Sequence, residues 1–487
     1  MWMFNSKLII WVPLNKENKC HSIRLLWSIS NISGTITELL DNRRNECATL
    51  LLRNDFITCF YWASPSSESI TVDSGLLTLP MLVYSFFRSN RLFQGMGLAF
   101  LSGGALFVPF SNVSLQDIPP LFSNNLTLVV FVAIVPLMQA AIETLHYDKQ
   151  VQTWLFKGAT TNGKLHTRSL LTTYGFVPFM NLSVLPLLQH TLKEKLTAIT
   201  KKERDVLISQ TTLRGYALAL VWMPMEIMVV TAIGLTGESY FSLIPYLLLL
   251  SVLMTFVEIG KRAMRQNERL SIVFQEEGGR SKWSLISAVI VFLILVMALG
   301  EWLDLSFILT VVLLIPLFSL AWTSMLGKGR AFLKEGLFSL GKQLQTGIHP
   351  FIVLFVSLGW FTGMLNQTEV LRYVQEPLYQ LGEQPVLLLA IIPLSFYLLA
   401  MIGIHPIASM VLVHEVIGPI LMPIMPIPLT VMYIVSALAT FTMSPYGIIV
   451  TMTARHTEQN PYRIMMTNVP FALLFAAISI SIMLLFY

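Results

Sequence analysis

Ten residues carry the reactive chemistry of an otherwise apolar chain, and they fall into four clusters, each beside a helix breaker. The first cluster is Thr173, Asn181 and Ser183, around Gly175 and Pro178; the second is Glu226, in Trp222-Met223-Pro224-Met225-Glu226. The third is Gly403, His405 and Ser409, around Pro406, and the fourth is Thr440, Thr442 and Ser444, before Pro445. A helix that restarts after a break presents unsatisfied N–H groups and the positive end of its dipole, which suits an anion. Asn181 and Ser183 can add donors or carbonyl ligands, or simply cap the new helix. A carboxylate at membrane depth, Glu226, must face a cavity, pair with a cation or hold a proton; Arg214 and His405 are the partners at hand. His405 can titrate, bind an anion when protonated, or bridge two helices. Gly403 permits close backbone approach, Pro406 suits the first turn of an outgoing helix, and Ser409 follows one turn later. Thr440, Thr442 and Ser444 offer hydroxyls and freed carbonyls to sodium or an oxyanion, or repair a kink.

Other chemistry is not supported. His414-Glu415 lacks the second histidine of a zinc helix, and no GKS or GKT phosphate loop or Gly-x-Ser-x-Gly exists. Cys20, Cys47 and Cys59 make no metal or disulfide framework. The expectation is a non-enzyme without a resident cofactor, with Na⁺ possible only as a coupling ion. Met and Phe are spread over the apolar runs, which reads as lipid-facing or packed surface.

The elements that position these residues are membrane helices. The chain of 487 residues is 54% hydrophobic and only 12% charged, about half the charged share of a soluble protein. Apolar runs of about 20 residues recur, so the class is all-α and polytopic. Spans are predicted near 71–87, 95–110 and 126–144, then a broken segment at 167–190, an interrupted helix at 206–236 and a span at 239–258. The order repeats at 282–300, 305–323 and 349–365, with a broken segment at 385–420, an interrupted helix at 429–453 and a last span at 468–487. That gives a first repeat at 71–258, a cytoplasmic linker at 259–281 and a second repeat at 282–487. Residues 1–70, with no long apolar run and no signal-peptide pattern, read as a poorly structured extension or an over-extended start.

Charge fixes the expected topology. With each broken segment dipping in and out on one side, each half has five crossings, and the second half is inverted. Of the 25 Lys/Arg after residue 74, 23 then lie in or beside inside loops, a strong positive-inside bias. The dips open to opposite faces and meet near mid-depth, where a substrate site belongs. The net charge of +5 is thus topogenic and does not indicate a nucleic-acid partner.

This order of elements resembles the ion transporter superfamily, which includes arsenite permease and sodium/proton antiporter relatives, divalent-anion/sodium symporters and TRAP large membrane subunits. The residues that carry the likeness are Leu170–Pro186, with Asn181 and Ser183 matching the tip pattern, and Gly403–Ser409. In the second tip His405-Pro406-Ile407 stands where many relatives show Ser-Asn-Thr. The resemblance implies an elevator-type secondary transporter, a homodimer, and substrate or sodium contacts at the tips. The expected function is transport of a small anion, an organic acid or oxyanion, coupled to Na⁺ or H⁺ across the plasma membrane bilayer. The alternatives are a cation/proton antiporter using Glu226 and His405, or a non-transporting membrane protein of envelope assembly.

Overall fold

The computed structural model describes residues 68–487 except 112, 115, 148–149, 197–198, 264–281, 304 and 382–383. The expected extension at 1–70 and most of the linker at 259–281 therefore lie outside the described residues. All regular structure among the described residues is helical, and the protein is a multi-pass, all-α membrane protein.

The first half opens with α1 (Glu68–Arg88), α2 (Arg91–Phe107), α3 (Ile118–Ser123), α4 (Leu126–Ile134) and α5 (Pro136–Thr144), then α6 (Gln150–Phe156). Next come α7 (Asn162–Met180) and α8 (Val184–Lys195), joined by a 3₁₀ turn at Asn181–Ser183. A long helix follows in two pieces, α9 (Lys201–Leu220) and α10 (Ile227–Thr236), and α11 (Tyr240–Ala263) closes the half. The second half holds α12 (Lys282–Leu303), α13 (Phe307–Met325), α14 (Gly329–Lys342), α15 (His349–Leu365) and α16 (Val370–Tyr379). Then come the broken pair α17 (Pro385–Met401) and α18 (Pro406–Leu421), the interrupted pair α19 (Pro426–Met443) and α20 (Ile448–Thr457), and α21 (Pro461–Phe486).

Local chemistry sets many of these starts. Asn90 and Ser306 accept backbone N–H groups at the heads of α2 and α13. Thr200 and Glu203 form a reciprocal capping box on α9. The core is built from helices packed pairwise: α2 on α15, α7 on α9, and α19 on both α17 and α21. At the first contact a Cβ on Gly104 would overlap the Trp360 indole, so the missing side chain sets the approach of α2 to α15.

Several expectations are corrected. Among the described residues, seven helical stretches are long and apolar enough to cross alone, or eight if one bent pair counts as a span, where the sequence suggested ten crossings. The shortfall includes α9, whose first turns carry Lys201 to Asp205. Short helices occupy stretches read as loops: α3 in 111–125, α6 in 145–166 and α16 in 366–384. The stretch 324–348, read as a cytoplasmic loop, contains α14 and a π turn at Gln343–Gly347, and α14 meets α15 at 57°. In the first broken segment Gly175 and Pro178 do not break the helix. α7 runs through both and ends at Asn181, whose backbone has φ +44°.

Candidate functional site

One cavity of about 330 Å³ lies where the two broken pairs and the two interrupted helices meet. It is reached by the starts of four helices. Asn181 and Leu182 precede α8; Glu226, Ile227 and Met228 open α10; His405 and Pro406 open α18; Gly447, Ile448 and Ile449 open α20. Each break has its own cause. Asn181 turns the first with a positive φ that a short polar side chain tolerates, and Gly403 turns the second at φ +91°. Pro224 and Pro445 stand in the interruptions of the long helices, where they supply no N–H to a helix.

The four starts differ in how their N–H groups are met. Glu226 caps α10 by accepting the Met228 N–H at 3.5 Å, and His405 caps α18 by accepting the Ile407 N–H on Nδ1 at 3.3 Å. Neither α8 nor α20 has a side-chain cap, and these two helices pack on each other. The first α8 N–H, on Val184, is met by the Asn181 and Leu182 carbonyls of the 3₁₀ turn, whereas α20 follows Gly447 with no 3₁₀ helix before it. The two helices run parallel, with Gln189 donating to Thr453 and Lys193 pairing with Glu458. Asn181, read as an alternative cap, does not cap: its Oδ1 accepts the Tyr216 hydroxyl at 2.5 Å. Its amide nitrogen is left as the donor side.

Six of the ten sequence-derived residues line this cavity: Asn181, Glu226, Gly403, His405, Thr440 and Ser444. The other four do not. Thr173 is turned to α9, where it donates to Ser169 O at 2.8 Å and packs at the missing side chain of Gly215. Ser183 sits behind the tip and accepts the Gln139 amide at 2.5 Å. Ser409 is buried one turn into α18, near its own His405 carbonyl, and Thr442 donates to Ala439 O at 2.8 Å. Both face inward because a helical hydroxyl can satisfy itself on the preceding turn. Arg214 is no partner of Glu226 either. It pairs with Glu258 at 2.5 Å and donates to Asn468 and to Thr467 O, tying α9 to α11 and α21.

Ser444 holds the second break in place by donating to Ala400 O at 3.0 Å, at the end of α17. His405 lies between Phe93 and Phe351, with ring centroids 5.7 and 6.3 Å away. Among the described residues, no lysine or arginine lines the cavity.

Sequence reasoning missed Gln139, Tyr216, Gln343 and Tyr446, and the apolar wall formed by Phe93, Phe131, Met138, Met223, Met225 and Met228. Those Met and Phe side chains had read as lipid-facing or core. Gln343 stands in the π turn and donates to Val132 O at 3.2 Å. Val132 is four residues before Pro136, so its carbonyl lacks the helical N–H that proline cannot supply. One amide thereby joins the break between α4 and α5 to the bend between α14 and α15. A Cβ on Gly347 would overlap that amide. The available signal was a polar residue within each apolar helical pattern, as with Gln139 in α5.

Comparison with solved structures places this arrangement among transporter folds. The YdaH transporter of Alcanivorax borkumensis superposes with a TM-score of 0.53 at 12% identity, over 80% of this chain and 96% of that one. MtrF of Neisseria gonorrhoeae, described within a class of antimetabolite efflux pumps, gives 0.50 at 13% identity, over 83% and 97%. No family model matches the sequence, and no curated protein does. The likeness is one of fold. It does not extend to the ion transporter superfamily that the order of elements resembles.

Proposed function

We propose that the protein is a secondary active transporter of a small organic anion, coupled to a proton carried by Glu226. The observation that carries this reading is the meeting of four helix starts at one cavity, two of them without a side-chain cap and on helices that run parallel in contact. Helix N-termini attract negative charge, most strongly within the first turn. The anion sits between Asn181 and Gly447, with the Asn181 amide donating to it while Tyr216 holds the amide oxygen. A cavity of about 330 Å³ suits an organic acid better than a bare oxyanion, and the Met and Phe wall packs against its carbon body.

Glu226 stands in the same cavity with no lysine or arginine along the wall. An enclosed carboxylate without a cation holds a proton or admits a positive ion. It therefore couples anion entry to H⁺, and Na⁺ is the competing coupling ion. The broken pairs α7/α8 and α17/α18 act as opposed re-entrant dips of inverted repeats, moving as elevators past the other helices in a plasma-membrane homodimer. A cation/proton antiporter is the second reading, favoured by the presence of both Glu226 and His405 on the wall.

The test is thermal unfolding of the purified protein in detergent, with a panel of small carboxylates, their neutral amides, and Na⁺ present or absent. A ligand that binds only the folded state stabilises it, by about 2.7 kcal/mol at a hundredfold excess over Kd. A carboxylate that stabilises while its amide does not supports the anion site. Stabilisation by cations alone supports the antiporter, and no response to any carboxylate rejects the proposal.

A further inference from the structure

The helix α14 has two unlike faces. Phe332 and Gly336 are buried where α14 packs against α5 and α13, and a Cβ on Gly336 would press on Leu137. On the opposite face Arg330, Lys334, Phe338 and Lys342 recur every fourth residue, so they form one exposed stripe. Lys328, just before the helix, adds a fourth cation, and Glu335 is the sole acid of the segment 328–342. Among the described residues none of these four cations is in an ion pair.

A stripe meant only for water would not carry large apolar groups. Here Phe338 is 59% exposed, Leu333 lies beside the stripe, and Met325 at the end of α13 is 85% exposed. Cations interleaved with exposed apolar side chains match the headgroup boundary, where the apolar groups enter the acyl layer and the ammonium and guanidinium groups meet phosphate. The position agrees: α14 connects two apolar helices, α13 and α15, and bends from the second by 57°. Its charge places it on the side that the positive-inside pattern makes cytoplasmic.

We propose that the outward stripe of α14 is a docking surface for anionic phospholipid headgroups of the inner leaflet. Lys328, Arg330, Lys334 and Lys342 bind the phosphates, and Phe338 and Leu333 anchor the helix in the acyl boundary. The last turn of α14 leads directly into Gln343, which lines the cavity and holds the Val132 carbonyl. Lipid bound to the stripe therefore also steadies the π turn. This inference stands whether or not the cavity carries an anion.

The experiment is native mass spectrometry of the full chain released from bilayer nanodiscs of phosphatidylcholine with added phosphatidylglycerol. The wild type is compared with the triple variant Arg330→Gln/Lys334→Gln/Lys342→Gln. A control, Lys164→Gln/Lys202→Gln/Arg455→Gln, removes three exposed cations from α7, α9 and α20 instead. Each cation near an anionic surface contributes roughly fivefold in binding, so the α14 triple should lose phosphatidylglycerol retention on the order of a hundredfold. The control should stay near wild type, and wild-type retention should fall as salt rises. Equal loss in both triples, or none in the α14 triple, overturns the proposal. So does equal competition by soluble glycerol phosphate, which would make the stripe a site for free anions. The changes lie on an exposed face; if the α14 triple is still recovered poorly, the wild-type salt series decides alone, and retention that ignores salt overturns the proposal.

Discussion

Replacing Glu226 by glutamine takes a titratable proton out of the cavity and leaves the local fold nearly intact. The carboxylate accepts the Met228 N–H at the start of α10, and an amide oxygen can accept the same bond. Glu226→Ala deletes the cap instead and costs about 1 kcal/mol of helix stability, so the pair separates proton chemistry from structure. One carboxylate carries one proton per cycle. A pH unit across the membrane is worth about 1.4 kcal/mol, and one proton with one monovalent anion is electroneutral, so voltage adds nothing. Wild-type proteoliposomes should then accumulate the anion about tenfold per pH unit. The assay loads the carboxylate found by thermal stabilisation, imposes a pH step and measures labelled uptake; exchange at equal concentrations is measured in parallel. Glu226→Gln should exchange at close to the wild-type rate yet fail to concentrate the anion. Undiminished accumulation by Glu226→Gln, or accumulation that follows a sodium gradient without a pH step, would refute the assignment of Glu226 as the coupling group.

Four further outcomes are expected. Asn181→Gly should keep its stability, since glycine accepts the positive φ, but lose carboxylate-induced thermal stabilisation; Asn181→Val should also cost about 1–3 kcal/mol in backbone strain. Glu258→Leu strands the Arg214 guanidinium in a buried site and should cost about 3–5 kcal/mol in a detergent unfolding series, with Arg214→Leu/Glu258→Leu recovering part of the loss. Lys193 and Lys201 hydrogen-bond Glu458 at 2.9 and 3.4 Å and hold its carboxyl below the usual range. Those bonds are present above the ordinary glutamate pKa and lost as pH falls through the lowered one, so Glu458→Gln should flatten that part of the acid limb of thermal stability, with a smaller effect at high salt. Finally, if the broken pairs are opposed dips, maleimide should reach Lys195→Cys and Gln384→Cys from opposite sides of the membrane; labelling from one side would end the inverted-repeat reading.

Three of the four breaks were legible in the sequence because backbone geometry there depends on short-range chemistry, while the first falls at Asn181 and not at Gly175 or Pro178. Glu226, Gly403, His405 and Pro406 fall where glycine, proline and a membrane-depth charge mark them, and the structure puts all four on the cavity wall. Side-chain direction was less legible. Thr173 was picked out by Gly175 and Pro178, which α7 runs through; Thr442 stands beside a break just as Thr440 does, and only the rotation of α19 decides which one faces the cavity. The amphipathic α14 was hidden for a different reason: its lysines made 324–348 look like a basic loop, although Phe332, Gly336 and Leu340 recur at helical spacing. Tyr216 was hidden by the length of α9, since nothing local shows that it reaches Asn181 across 35 positions.

The distribution of caps explains why the cavity should bind charge in a directed way. Each half supplies one start with a side-chain cap and one without: Glu226 on α10 but none on α8, then His405 on α18 but none on α20. A cap fills the position that a ligand would take at a helix terminus, so the capped ends are closed to a second anion. The starts without a side-chain cap come from different halves, and α8 packs on α20, so on the proposed reading an anion between them would be held by both halves at once. On that reading its release would part the two halves at that contact, which the Lys193–Glu458 and Lys201–Glu458 pairs also span. Binding and the relative position of the halves are thus linked by the same pair of helices, and a ligand that favours one arrangement shifts the balance by its difference in affinity for the two.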